Sequence, residues 1–124
     1  MALAAAANFV AHKEGFLVGA IIVDHGLAPD SGIVADKAFA QVHKAGIVNA
    51  FVEKVIVGRE GGLEAAARRA RYAALDSRAD REGGLTPHIL TGHTMDDQAE
   101  TVLLALARGS GARALAGMAV KRGR

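Results

Sequence analysis

The sequence predicts an α/β fold, an open parallel sheet with helices on both of its faces. Short apolar runs of strand length alternate with longer stretches whose apolar residues recur at helical spacing. The run FLVGAIIV at residues 16–23 contains no polar side chain, which is typical of a parallel strand buried on both faces. Alternation of this kind implies right-handed crossovers between parallel strands. We therefore expect residues 16–23 to pair in parallel with the next strand along the chain.

Glycines end the first two predicted helices. The first helix covers residues 2–13 and ends at Gly15, before the first strand. A turn at residues 24–31 leads into a second helix near residues 32–44, which Gly46 closes. These signals place one helix before the first strand and one after it.

The second half of the chain repeats the alternation. A second strand, FVEKVIV, is predicted at residues 51–57. The pair Gly61 and Gly62 then interrupts the chain before a long helix that runs from residue 63 to about residue 80. A third, short strand is predicted at residues 87–90.

The last predicted helix follows this third strand and is amphipathic. Thr94 serves as its N-cap, with Asp97 three positions on as a capping-box partner. Asp96, Asp97 and Glu100 lie on one side of the helix. The opposite side is predicted to be buried, because apolar residues recur there at core spacing: Met95, Ala99, Val102, Leu103 and Leu106.

Composition limits the possible classes of protein. With 124 residues, the chain is one domain or part of one, and its hydrophobic content of 51% contains so much alanine that the core should consist of small side chains. The absence of cysteine excludes disulfides, zinc-thiolate sites, iron–sulfur clusters and a cysteine nucleophile. No run approaches the roughly 18 apolar residues of a membrane span, and the N-terminus lacks the basic region of a signal peptide. We expect a cytoplasmic protein, whose net charge of +2 permits a nucleic-acid partner without requiring one.

Two polar segments follow predicted strands. Asp24, His25 and Gly26 come after the first strand, and Gly92 and His93 come after the third. Ligands of open parallel sheets bind at the carboxyl ends of the strands, so both segments could face one crevice. The alternative is that Asp24 caps a helix and His25 is a loop histidine with its hydrogen bonds satisfied.

The last helix carries an unusual concentration of acids in its first turns. Asp96, Asp97 and Glu100 repel one another, and a cation or a substrate amine would compensate them. The alternative is that they favour the helix dipole. Dipole complementarity, however, does not call for His93 just before the cap, nor for the glycine-rich loop that begins at Arg108.

The long helix carries a row of charged side chains. Glu64, Arg68, Arg71 and Arg78 lie within about one quadrant at ~100° per residue. This row is interpreted either as a guanidinium surface for phosphate or nucleic acid, or as a solvated face with a Glu64–Arg68 pair.

Three strings in this order resemble a known enzyme family. They are VDHGL at residues 23–27, GLEAAARRARYAAL at residues 62–75, and GHTMDDQAETVLLALARGSGARALAGM at residues 92–118. The chain is similar to the tRNA(Ile)-lysidine synthetases of the PP-loop, or N-type ATP pyrophosphatase, superfamily. The resemblance implies a Rossmann-like PP-loop fold and ATP and Mg²⁺ as cofactors. It also implies tRNA(Ile) with a CAU anticodon and free L-lysine as partners.

The family resemblance implies a two-step ligation. ATP adenylates the base carbonyl of the wobble cytidine, and the ε-amine of lysine then displaces AMP, which changes AUG decoding to AUA decoding. By resemblance, the catalytic residues are Asp97, Asp96, Arg68 and Arg71, with Asp97 as a candidate Mg²⁺ ligand. The residues near the nucleotide are Asp24, His25, Gly26, Gly92 and His93. The supporting residues are Glu100, Thr101 and Arg108. Which carboxylate faces the metal and which faces lysine stays open.

One family element is absent from the sequence. The SGGxDS loop, which holds pyrophosphate at a helix N-terminus, does not occur in residues 1–124. We therefore expect residues 1–124 to be part of an N-terminal PP-loop domain, truncated at both ends, without its first strand and inactive alone.

Three other functions remain open at this point. Another PP-loop tRNA-modifying enzyme, such as a thiolase, is disfavoured by the absence of CxxC pairs. A non-catalytic nucleotide- or RNA-binding module is the second. A metal hydrolase using His93, Asp96 and Asp97 is the third, although it lacks the further histidine ligands that such sites use.

Overall fold

A computed structural model of the chain describes residues 1–81, 88–109, 111 and 116–118, in two compact units, Met1–Leu85 and Thr86–Arg124. The first unit alternates helices and strands, as an α/β fold requires. Its elements in chain order are α1 (Ala2–Glu14), β1 (Gly19–Asp24), α2 (Ser31–Lys44), β2 (Asn49–Lys54) and α3 (Leu63–Arg81). The second unit contains α4 (Met95–Ala107).

The two strands pair in parallel, as predicted. The register runs from Gly19 opposite Asn49 to Asp24 opposite Lys54, and α2 forms the crossover between the strands. The first strand begins three residues later than predicted, because Phe16 takes part in the hydrogen bonding that ends α1. Its backbone N–H donates to the carbonyl of Ala11 at 3.0 Å. The strand was also predicted to be buried on both faces. Most residues of β1 are instead only half-buried, because the described sheet has two strands.

Glycines in the left-handed region end α1 and α2, as the sequence indicates. Gly15 has φ 75° and donates its N–H to the carbonyl of Ala11. Gly46, with φ 86°, follows the last turn of α2. The Asn8 side chain of α1 reaches this turn, where Nδ2 donates to the carbonyl of Ala45 at 3.0 Å. A hydrogen bond therefore joins α1 to the end of α2.

Small side chains make up most of the core, which confirms the prediction from composition. Among the described residues, the most buried large side chain is Ile47, at 2% exposure, just before β2. Alanine is the commonest of the other buried apolar residues: Ala11, Ala35, Val42, Ala66, Leu75, Ala79 and Ala105. Small side chains let helices approach the sheet closely, and each contributes little buried area.

The long helix α3 is held on one face of β2 by charge and ring contacts. The Arg78 guanidinium carbon lies 3.3 Å from the centroid of the Phe51 ring. Glu53, two residues along the strand and therefore on the same face, accepts from Arg81 at 3.3 Å and lies 3.9 Å from Arg78. Arg78 consequently packs on the sheet. Its predicted place in the exposed arginine row is wrong, because a ring and a carboxylate on β2 offer it a closer partner.

The second unit differs from the prediction at two points. Residues 88–90 are not in a strand, and Pro87 lies outside the described residues. A strand needs a hydrogen-bonded neighbour, and the strands that the structure describes, β1 and β2, lie in the first unit and pair with each other.

The apolar face of α4 was also predicted to be buried, and it is largely exposed. Met95 is 86% exposed, Leu103 63% and Leu106 54%; Ala99 is exposed and Val102 is half-buried. Ala105 is the buried residue of this helix. The physical reason is that the described residues of this unit provide no strand on which the face could pack.

None of the helices in the described part of the chain combines the length and hydropathy needed to cross a membrane.

The glycine turns give a direct test of the α1–α2 contact. A Cβ at Gly46 would lie 2.8 Å from Asn8 Nδ2, whereas a Cβ at Gly15 would meet nothing within 4 Å. Both positions have positive φ, so each alanine costs about 1–2 kcal/mol of backbone strain. We expect Gly46→Ala to lower the free energy of unfolding by about 1 kcal/mol more than Gly15→Ala, the value of one lost hydrogen bond. Urea denaturation measures both; equal losses would contradict the contact.

Candidate functional site

The carboxylate of Asp24 organises the loop after β1. Asp24 ends the strand and is 7% exposed. Its Oδ1 accepts from the backbone N–H of Gly26 at 2.9 Å, and Gly26 has φ 62°, a conformation that suits glycine. The Gly26 N–H, followed by the Ser31 side chain, lowers the pKa of Asp24 below 3.8. The buried carboxylate is thus charged at neutral pH and closes a tight turn around His25.

His25 and Arg71 come together in the first unit. The His25 ring is half-buried, and its Nδ1 is buried without a hydrogen-bond partner. Burial lowers the pKa of His25 below 6.5, and the nearby Arg71 guanidinium lowers it further, against the opposing charge of Asp24. Because the pKa is depressed, His25 is neutral at neutral pH. Arg71 of α3 is therefore close enough to the loop after β1 to act electrostatically on His25.

Arg68 and Arg71, the two arginines of the predicted catalytic set, are both exposed on α3. The Arg68 guanidinium carbon lies 5.5 Å from the centroid of the Tyr72 ring, a contact that orients the side chain along the helix. Two exposed guanidinium groups one turn apart are suited to phosphate oxygens, which they can bind with paired hydrogen bonds.

The first turn of α4 holds Asp97 in a reciprocal capping box. The Asp97 N–H donates to Thr94 Oγ1 at 3.2 Å, and Asp97 Oδ2 accepts from the Thr94 N–H at 2.5 Å and from Thr94 Oγ1 at 2.8 Å. This confirms the predicted cap. The Thr94 N–H, then its hydroxyl, lowers the pKa of Asp97 below 3.8, with a smaller effect from His93. The carboxylate is therefore oriented and ionised before any ligand arrives.

The remaining residues of the predicted set surround this turn. His93 lies just outside the helix, with Nδ1 3.0 Å from Thr91 Oγ1. Asp96, Glu100 and Gly92 are exposed. The hydroxyl of Thr101 donates to the carbonyl of Asp97 at 2.8 Å, one turn along the helix. The exposed Arg108 is the C-cap of α4, so it lies at the opposite end of the helix from the acids.

Asp97 is a residue that could hold a magnesium ion together with water and substrate phosphates. Within the described residues, no group of three or more His, Cys, Asp and Glu side chains could hold a metal ion. Mg²⁺ does not need such a cage, since it keeps several waters and is usually bound by one or two carboxylates together with substrate phosphates. The Asp97 carboxylate, held ionised by Thr94, is an oxygen ligand of that kind.

The structure therefore groups the predicted residues in two sets. In the first unit it brings His25 and Arg71 together, and in the second it brings His93, Thr94 and Asp97 together. The expectation that residues 24–26 and residues 92–93 face one crevice stays a prediction.

Sequence analysis missed Gln98, whose side chain binds the backbone of Met118. A local pattern gives no signal for this contact, because the partner lies twenty residues away and offers only main-chain atoms.

Comparison with known proteins gives one consistent result. The chain matches the PP-loop domain family over residues 1–124. It is 51% identical over 99% of its length to the tRNA(Ile)-lysidine synthase of Streptomyces coelicolor, and 52% identical over 100% of its length to that of Leifsonia xyli. The chain is also 63% identical, over 80% of its length, to the tRNA(Ile)-lysidine synthase of Mycolicibacterium paratuberculosis. No solved structure matches the chain.

The chain covers only part of each relative. It spans 34% of the Streptomyces protein, 37% of the Leifsonia protein and 29% of the Mycolicibacterium protein, about a third in each case. The family match nevertheless extends over the whole chain, and the parallel α/β topology agrees with it. This chain belongs to the PP-loop domain family.

Proposed function

We propose that this chain forms part of the catalytic domain of a tRNA(Ile)-lysidine synthase, a cytoplasmic ligase that attaches lysine to the wobble cytidine of tRNA(Ile) with a CAU anticodon. The observation that carries the proposal is the Asp97 carboxylate, which Thr94 holds ionised on the first turn of α4. This turn lies in the segment that most resembles the lysidine synthetases. Relatives with that name share about half of the residues of the chain.

The proposed reaction proceeds in two balanced steps. In the first, the oxygen of the cytidine carbonyl forms a bond to the α-phosphorus of ATP, and the bond to the bridging oxygen breaks to release pyrophosphate. In the second, the ε-amine of lysine forms a bond to the activated carbon and loses its proton, while the carbon–oxygen bond breaks to release AMP. Mg²⁺, when bound, supplies positive charge to the phosphates.

The carboxylates on the first turn of α4 support both steps by attracting positive charge. The second step requires lysine, whose ammonium group is attracted by carboxylates, and the first requires a cation on the phosphates. Asp96 and Asp97 divide these roles between them, one carboxylate facing the metal and the other facing the ammonium group. Since the capping box orients Asp97 in advance, little reorganisation is needed when the ligands bind.

On the nucleotide side, the chain offers cations and a neutral imidazole. Arg68 and Arg71 supply guanidinium groups for phosphate oxygens of ATP or tRNA. His25 is neutral at neutral pH, so its ring can accept or donate one hydrogen bond without adding charge. We propose that the turn closed by Asp24 holds this ring beside the nucleotide, and that Gly92 and His93 contribute from the segment before α4.

The test uses a full-length chimera, in which this chain replaces the matching segment of the Streptomyces coelicolor relative. The chimera should incorporate lysine into tRNA(Ile). We expect Asp97→Asn to reduce this incorporation about a hundredfold or more, the usual scale for one lost electrostatic contact in an active site. Its melting temperature should change little, because the amide oxygen still accepts from Thr94.

Thr94→Ala is the matched control, since it breaks the cap and keeps the carboxylate. It should cost about 1 kcal/mol of stability and far less turnover than Asp97→Asn. An Asp97→Asn chimera that is active but less stable would show that Asp97 serves only the helix. A folded wild-type chimera without lysine incorporation would refute the proposed function.

The electrostatic effect of Arg71 on His25 can be tested in the chain itself. Removing the cation with Arg71→Met should raise the pKa of His25, because a positive neighbour disfavours the imidazolium form. NMR titration of the imidazole protons measures this. Arg68→Met is the control and should leave the pKa of His25 unchanged; equal shifts in the two variants would contradict a specific effect of Arg71.

The same shift has a consequence for stability. Folding depresses the pKa of His25, so the folded state favours the neutral ring. The free energy of unfolding is therefore highest above pH 6.5, the unfolded pKa, and it decreases as the pH falls below that value. The Arg71→Met variant should therefore lose less stability between neutral pH and mildly acidic pH than the unsubstituted chain does.

A further inference from the structure

The buried surface of α3 contains few large side chains. The buried residues of this helix are Ala66, Leu75 and Ala79, of which only Leu75 is large. Burial of apolar groups is non-directional, and each alanine contributes little buried area. A surface of this kind resists rotation or sliding of a helix only weakly. The rotation of α3 about its own axis therefore depends on a directional contact.

Arg78 makes such a contact with two residues of β2. Its guanidinium carbon lies 3.3 Å from the centroid of the Phe51 ring, and its Nη1 lies 3.9 Å from Glu53 Oε1. An aromatic face and a carboxylate together fix the orientation of the planar guanidinium group. The side chain of Arg78 is only 18% exposed, so solvent screens its charge less than that of a surface residue. We call Arg78, Phe51 and Glu53 the Arg78 anchor.

The anchor and Arg71 lie on the same side of α3. Seven residues separate Arg71 from Arg78, which is nearly two full turns, so the directions of the two Cβ atoms differ by only about 20°. The two residues are about 10 Å apart along the helix axis. Any rotation of α3 that removes Arg78 from the Phe51 ring therefore turns Arg71 through the same angle.

The spacing along the helix matches the spacing along the sheet. Phe51 lies opposite Ile21 in the register of the two strands, and Asp24 follows Ile21 by three residues, about 10 Å along β1. With Arg78 on Phe51, Arg71 is therefore placed at the level where β1 ends and the loop of His25 begins. Contacts of α3 with β1 agree with this placement, as does the electrostatic effect of Arg71 on His25.

We propose that Arg78 and Phe51 are positioning residues, which fix the rotation of α3 so that the Arg71 guanidinium stays beside the loop after β1 and binds substrate phosphate there. The proposal rests on the proposed function, because the phosphate belongs to ATP or to tRNA. Arg78 acts through Arg71 and not on the reacting atoms. The two residues thus set the place of a phosphate-binding group from two helical turns away.

The first experiment follows His25 by NMR titration in the chain itself. Phe51→Leu removes the ring without changing any charge, and it should raise the pKa of His25, because Arg71 then turns away from the imidazole. Phe51→Tyr keeps the ring and is the matched control, which should leave this pKa unchanged. In the Arg71→Met background, Phe51→Leu should add no further rise. An unchanged pKa in folded Phe51→Leu protein, or a full further rise in the double variant, would overturn the proposal.

A second pair of variants tests the cation of the anchor and serves if Phe51→Leu protein does not fold. Arg78→Met should raise the pKa of His25. Arg81→Met is the matched control, because Arg81 lies on the same helix and also pairs with Glu53, at 3.3 Å, but its side chain is 54% exposed. It should leave the pKa unchanged. Equal shifts in the two variants would show that loss of positive charge alone explains the effect, and the positioning role would be refuted.

The third experiment measures lysine incorporation by the full-length chimera, with ATP and tRNA varied in turn. Phe51→Leu should raise, by about fivefold, the same KM that Arg71→Met raises, and should leave the other KM unchanged. The constant that rises identifies the source of the phosphate, ATP or tRNA. Adding Phe51→Leu to Arg71→Met should raise this KM no further, because both changes act through one guanidinium group. A lower kcat with both KM values unchanged would indicate a smaller folded fraction and would refute the positioning role.

These outcomes separate failure of the inference from failure of the proposed function. If the wild-type chimera incorporates lysine and Phe51→Leu changes neither KM, the positioning role is refuted and the proposed function stands. If the folded wild-type chimera incorporates no lysine, the proposed function fails. The NMR titration then still determines whether the Arg78 anchor sets the position of Arg71.

Discussion

The parallel pairing of β1 with β2 is the constraint on which the rest of the first unit depends. Its register places Asp24 at the end of β1, opposite Lys54, and turns Phe51 and Glu53 toward α3. Once Arg78 is seated on that face, the earlier turns of α3 bring Arg71 near His25. A shift of one residue in the register would turn these side chains to the other face of the sheet. The loop after β1 would then lose its cationic neighbour.

In the second unit, a single carboxylate serves both stability and the proposed chemistry. Asp97 completes the capping box with Thr94, and the same hydrogen bonds keep its pKa low. The structural and functional interpretations of the acidic turn are therefore compatible, because a helix cap orients and ionises the group that a cation needs.

Sequence reasoning succeeded where the signal is local. Gly15 and Gly46 ended their helices as expected, Thr94 capped α4, and the alternation of apolar runs predicted a parallel sheet. Each of these features depends on a few neighbouring residues or on their periodicity. The alanine-rich composition likewise predicted a core of small side chains.

It failed where the outcome depends on a distant partner. The apolar face of α4 was predicted to be buried, but amphipathic spacing says only that a face can pack, and the described residues of this unit supply no sheet for it. The segment at residues 88–90 has strand-like composition without a hydrogen-bonded neighbour. Arg78 packs on Phe51 and Glu53 and does not lie in the predicted arginine row. The Gln98 side chain forms a hydrogen bond with the backbone of Met118. Contacts such as these are set by the tertiary structure, which a local pattern does not contain.

The most direct test of the central claim is the identity of the nucleotide products. The full-length chimera is supplied with labelled ATP, lysine and tRNA(Ile), and AMP, pyrophosphate and incorporated lysine are quantified in the same reaction. The account predicts that the three are formed in equal amounts and only when the tRNA is present. Formation of ADP and phosphate, or lysine incorporation without AMP, would contradict an adenylating PP-loop domain.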